Sequence, residues 1–113
     1  MITITHEEII DRPVADVFAF IADPANDPHW CPPVLAAEQI KGNGPEQGAR
    51  YRQTVKPGPK ELTSTMEITE YQTDRRMAWR GSNDMLAFHG RYEVEPANGG
   101  TRVTMTSNLR VQG

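Results

Sequence analysis

Histidine, cysteine and arginine are the residues of this chain best suited to chemistry, and their spacing decides what each could do. His6, His29 and His89 are scattered. Imidazole titrates near neutrality and can move protons when a carboxylate or nucleophile lies beside it. None of the three has such a neighbour in a recognisable motif, and His89 follows Phe88 on a strand pattern that turns it outward. His29-Trp30-Cys31 does not have the ligand spacing of a zinc site, so no metal is expected. Cys31 would need a nearby base to act as a nucleophile; nothing supplies one, and it reads as a half-buried structural thiol. Arg50, Arg52, Arg76, Arg80, Arg91 and Arg102 could gather an anion. However, Glu67, Glu93 and Glu95 interleave with them, which describes a solvated, ion-paired face. Gly42-Asn43-Gly44-Pro45 lacks the lysine and following helix of a phosphate loop. No catalytic residue and no cofactor are expected from these patterns.

The elements that must position any site come next. The chain has 113 residues, 37% hydrophobic and 24% charged, with formal net charge -3. That length fits one domain over 1–113 with one modest core. The weak acidity argues against a nucleic-acid partner. A lone cysteine forbids an internal disulfide, and neither a signal peptide nor a membrane span is visible. The expected location is therefore cytoplasmic.

Proline and glycine punctuate segments of alternating character, as in a β-rich domain with short turns. Ile2 to Ile10 predicts a first strand. Asp11-Arg12-Pro13 opens a helix whose Val14, Val17, Phe18 and Ile21 fall on one apolar stripe. Asp23 can cap a second short helix started by Pro24, and Pro28, Pro32 and Pro33 forbid its extension. Strands are then predicted over Val34–Ile40, Arg50–Val55, Leu62–Tyr71, Arg76–Gly81, Leu86–Glu95 and Thr101–Leu109. Pro57-Gly58-Pro59 should break the chain between two of them. The short connections imply antiparallel hairpins.

Side chains alternate between the two faces of a strand. One face collects Leu62, Met66, Ile68, Met77, Trp79, Phe88, Tyr92, Val94, Val103, Met105 and Leu109, with Ser64 and Ser107. The other collects threonines, arginines and glutamates. The sheet is therefore expected to have one dry and one wet face. The dry face is large for the helix available. Uncovered apolar surface usually means a ligand or partner. Met66, Met77 and Met105 would make an adaptable wall. Tyr51, Trp79 and Tyr92 offer apolar bodies with polar tips, and Trp30 either gates the mouth or plugs the core.

The run Asp11-Arg12-Pro13-Val14-Ala15-Asp16-Val17-Phe18-Ala19-Phe20-Ile21-Ala22-Asp23-Pro24-Ala25-Asn26, followed by His29-Trp30, resembles the opening of the polyketide cyclase/dehydrase and lipid-transport superfamily, the START-like, helix-grip domains. Gly48-Ala49-Arg50-Tyr51 and Gly99-Gly100-Thr101-Arg102-Val103-Thr104 are similar to its third strand and last hairpin. The resemblance implies an α+β fold, a curved seven-stranded antiparallel sheet with short N-terminal helices. It also implies an apolar ligand held between sheet and helices. The family's long C-terminal helix is not expected, because the sequence stops at Gly113 soon after the last strand.

These expectations combine into a binding domain for a small hydrophobic or amphipathic molecule such as a lipid or polyketide. Its lining would be Trp30, Tyr51, Met66, Trp79, Phe88, Tyr92 and Met105. A truncated gene, a shallow open cavity or a second copy over the open face would each account for the missing helix; the homodimer is the favoured expectation, since two-fold pairing is the commonest remedy. Two alternatives stand beside it. One is a cyclase- or dehydratase-like enzyme, for which Tyr51, Ser64, Tyr92 and Ser107 are the inward polar groups. The other is a dimerising interaction module whose apolar face meets protein.

Overall fold

The computed structural model describes residues 1–56 and 58–112. Pro57, the first residue of the expected break, lies outside the described residues. Strands β1 (Ile2–Ile10), β2 (Val34–Lys41), β3 (Arg50–Val55), β4 (Leu62–Gln72), β5 (Arg76–Ser82), β6 (Leu86–Ala97) and β7 (Gly100–Val111) form one seven-stranded sheet. Its order is β1-β7-β6-β5-β4-β3-β2, with every pairing antiparallel. Between β1 and β2 lie helix α1 (Val14–Ile21), a 3₁₀ turn at Pro24–Asn26 and a short helix α2 (Asp27–Trp30). The fold is α+β and open, as the alternation and turn signals require. No helix is long and apolar enough to cross a membrane.

Local chemistry sets the connections. Pro13 precedes α1 in an extended conformation, and its carbonyl accepts from Val17 N at 3.1 Å. The Thr101 hydroxyl donates to the Arg12 carbonyl at 2.7 Å, tying the entry of α1 to β7. Asp23 caps the 3₁₀ turn by accepting from Ala25 N at 3.0 Å. The β6–β7 hairpin turns on Asn98 (φ 48°) and Gly99 (φ 80°). Both sit in the left-handed region that a tight two-residue turn demands.

The core lies where α1 meets the inner face. Val17, Phe18 and Ile21 pack with Ile68, Met77, Val94 and Val103. Phe18 meets Tyr71 edge-on at 5.4 Å. Tyr71 is inward for a reason that simple alternation does not carry. A register shift between Ile68 and Glu70 adds a residue to β4 and turns Tyr71 to the core side.

Two glycines let aromatic rings lie flat on the inner face. A Cβ at Gly81 would stand 2.7 Å from the Phe88 ring and 2.4 Å from the Thr65 carbonyl. One at Gly90 would stand 2.6 Å from both the Trp79 ring and the Thr106 carbonyl. Backbone cannot yield to such a contact as a flexible side chain can. Gly90→Ala is therefore expected to lower stability by about 1–3 kcal/mol, read as a shift of the urea midpoint. An unchanged midpoint would show that Trp79 does not rest on this glycine.

Candidate functional site

The inner face divides at an aromatic trio. Trp30 comes from α2 and meets Tyr92 of β6 edge-on at 6.0 Å. Trp79 of β5 lies against the other side of Tyr92 at 4.7 Å. On one side of this trio α1 covers the sheet. On the other, a cross-strand row runs Tyr51, Met66, Gly81, Phe88, Leu109 and Ile2. Its edge is uncovered: Ile2 is 59% exposed and Ile4 46%. Long apolar side chains at that exposure are an apolar surface awaiting contact.

The residues expected to line a site fall on both sides of the divide. Trp30, Trp79, Tyr92 and Met105 come together, with Met105 directly across the ladder from Tyr92. Met66 and Phe88 flank Gly81 in the cross-strand row; Met66, at 8% exposure, is buried in the core cluster, as Tyr92 is. Trp79, Phe88 and Met105 are half-buried, and Trp30 is partly exposed at the trio's rim. Tyr51 is fully buried, so it belongs to the core rather than to an accessible wall. Its hydroxyl has no hydrogen-bond partner. A buried hydroxyl without a partner costs about 1–3 kcal/mol, so this atom is unfinished as it stands. Burial first, and then the charge of Asp23, push its pKa up to about 12. It is a neutral donor at any physiological pH.

Polar groups that sequence reasoning did not single out gather beside Trp30. Asp27, the first residue of α2, accepts from Gln53 Nε2 at 2.8 Å. Gln53 is itself buried and also reaches the Pro24 carbonyl at 3.5 Å. Asp27 is close enough for its charge to raise the pKa of both Tyr92 and Cys31, although burial is the larger cause in each. Asn83 Nδ2 donates to the Ser64 hydroxyl at 3.0 Å on the same face. Gln53 follows from alternation with Tyr51 along β3. Asp27 carries no periodic signal, because it sits in a proline-interrupted segment. His89 points outward and is exposed, and Cys31 is half-buried. Among the described residues no cluster of His, Cys, Asp and Glu is arranged to hold a metal ion.

Asp27 is the group here that titrates in a useful range. Burial raises its pKa from 3.8 to about 6, partly opposed by the Gln53 hydrogen bond and reinforced by Asp23. The folded chain therefore holds a proton that the unfolded chain releases. The resulting stability is fully present below pH 3.8 and is lost as pH rises through about 6. Asp27→Asn keeps an acceptor for Gln53 and removes the buried charge. It is expected to be more stable than the parent above pH 6, on the order of 1–3 kcal/mol. The advantage should shrink toward pH 4, as read from melting temperatures across that range. A difference independent of pH would contradict this assignment.

A search of curated proteins by sequence finds no match. Solved structures do match. A START superfamily protein from Mycobacterium smegmatis superposes with TM-score 0.85 at 10% identity, over 98% of this chain and 78% of that one. An aromatase/cyclase from Streptomyces sp. R1128 gives 0.79 at 17%, over 99% and 69%. A protein from Deinococcus radiodurans gives 0.78 at 22%, over 97% and 83%. Identities this low speak to the fold. The sequence itself matches the family described as polyketide cyclase/dehydrase and lipid transport over residues 1–113. An open antiparallel sheet with a Pro-started helix across one end of its dry face, and that match along the whole sequence, make this chain a member of the polyketide cyclase/dehydrase and lipid transport family.

Proposed function

We propose that the chain binds a small hydrophobic or amphipathic molecule on its inner face. The observation that carries this reading is the uncovered β1 edge of the inner face beyond the aromatic trio, where Ile2 and Ile4 are about half exposed. Met66, Phe88 and Met105 would contact the apolar body, with Trp30, Trp79 and Tyr92 closing one end. The same exposed surface supports a homodimer that pairs two inner faces around the ligand. A single free thiol is compatible with a reducing, cytoplasmic setting.

The second reading is a cyclase- or dehydratase-like enzyme. Asp27 supports it: a half-buried carboxyl that exchanges a proton near pH 6, next to Gln53 and close to Tyr92. Turnover of a poly-β-ketone that disappears in Asp27→Asn while binding survives would favour this reading.

N-phenyl-1-naphthylamine is a neutral, apolar fluorescent probe suited to the test. Saturable enhancement of its emission is expected, with Trp79→Ala weakening binding about thirtyfold or more, since deleting a large aromatic anchor costs about 2 kcal/mol or more. Sedimentation of the same samples should show the dimer. Absence of saturable binding in a folded sample would overturn the proposal, and a monomer at every concentration would remove its dimer.

A further inference from the structure

The outer face of the sheet carries a groove that the inner-face reading does not use. Its volume is about 690 Å³, within the size of small-molecule sites, roughly 300–1,000 Å³. Two adjacent cross-strand rows build it. One runs Arg50, Glu67, Arg80, His89 and Asn108 across β3 to β7. The other runs Arg52, Thr65, Ser82, Ala87 and Arg110 across the same strands. Small side chains occupy the middle of the second row. The groove is the space that Thr65, Ser82 and Ala87 leave between the long arms of Arg50, Arg80 and Arg110, all of which line it.

Charge distinguishes this groove from the rest of the wet face. Elsewhere on the strands each arginine has at least one glutamate of its own: Arg91 has Glu93 at 2.8 Å, Arg52 has Glu38 at 2.6 Å beyond the groove, Arg76 has Glu70 at 3.6 Å, and Arg102 has both Glu95 at 2.7 Å and Glu7 at 3.5 Å. Inside it, Glu67 is shared by Arg50 at 3.7 Å and Arg80 at 3.4 Å. Arg110 makes no ion pair among the described residues. The lining therefore holds an excess of two positive charges on a chain whose formal net charge is -3. The hydroxyls of Thr65 and Ser82 add hydrogen-bond donors between the guanidiniums, and Ala87 adds an apolar floor.

We propose that this outer groove binds a small phosphate monoester. A dianion matches the excess charge, and guanidinium forks match phosphate oxygens in pairs. Arg80 and Arg110 reach the phosphate from either side, over the Thr65 and Ser82 hydroxyls, and the ester's organic body rests on Ala87. Glu67 restrains the arginines in the empty groove and competes with the ligand for them. The arginines, Thr65, Ser82 and Ala87 belong to the outward rows, while Met66, Gly81 and Phe88 of the inner row also border the groove; the charged groups that hold the phosphate are distinct from those that would hold an apolar ligand.

The test is an amide-detected NMR titration of the full chain with phenyl phosphate at low salt, in parallel with phenol. Saturable shifts are expected at Thr65, Ser82, Ala87 and His89 with phenyl phosphate and not with phenol. Arg80→Gln and Arg110→Gln should each weaken binding about tenfold or more, as loss of a charge-assisted hydrogen bond does. Glu67→Gln should tighten it, and Arg91→Gln should leave it unchanged. The spectra themselves report that each variant is folded. No saturable shift, equal shifts with phenol, or parent-like binding by both groove variants would overturn the proposal. Co-sedimentation with phosphatidylcholine vesicles containing phosphatidic acid, lost in Arg80→Gln, would overturn the small-molecule assignment in favour of a lipid headgroup.

Discussion

An open antiparallel sheet that gathers most of its apolar side chains on one face must keep that side in contact with something other than water, and this requirement organises the whole molecule. Full burial of one large apolar side chain stabilises by about 1.5–3 kcal/mol. The helix α1 meets the requirement at one end, where Val17, Phe18 and Ile21 lie on Ile68, Met77, Val94 and Val103. The Trp30–Tyr92–Trp79 trio ends that covered region. Past it the ladder continues through Met66, Phe88 and Leu109 to an exposed edge strand. Glycines at positions 81 and 90 allow rings to lie across the strands there instead of standing up from them. The result is a broad apolar surface rather than a deep, ready-made core.

Polar groups on this dry side are few, and each is kept for a physical reason. Gln53 is tolerated because its amide is bonded to Asp27 and the Pro24 carbonyl. Asp27 is tolerated because α2 leaves it half-buried, so that it trades charge for a proton as the pH falls. Tyr51 is different: its hydroxyl is buried and unpaired, a condition rare in finished cores. Gln53 and Asp27 meet beside α2, and Tyr51 stands at the β3 end of the apolar row. An amphipathic molecule on the apolar row would therefore meet polarity at one end only. The wet side follows the opposite logic, with arginines and glutamates paired along and across strands, and in the groove two arginines share Glu67 while Arg110 makes no ion pair among the described residues.

Much of this was legible in the amino-acid order. The β1 and α1 boundaries follow from Ile2–Ile10 alternation and from the Pro13-led apolar stripe, and the two faces of β4 to β7 sort as alternation predicts. Strand ends extend one to a few residues beyond the expected limits, as at Gln72, Ala97 and Val111, because hairpin pairing continues through residues of weak propensity. Tyr71 escaped alternation because a bulge is decided by pairing with β5, not by its own segment. Asp27 escaped because a Pro-rich connection has no period to read. The arginines were visible as an ion-paired face. The groove among them was not, since it depends on Thr65, Ser82 and Ala87 falling side by side in three different strands.

Methionine methyl groups offer the most direct test of where an apolar ligand sits. Met105 lies on the inner face, Met66 is buried in the inner row and also borders the outer groove, Met77 is buried in the core, Met85 is exposed in the β5–β6 connection, and Met1 borders the outer groove. With methyl-labelled methionine, saturating N-phenyl-1-naphthylamine should shift the Met66 and Met105 resonances and leave those of Met1 and Met85 in place. Shifts confined to Met1 or Met85, with Met66 and Met105 unmoved, would contradict the account that the inner face is the binding surface.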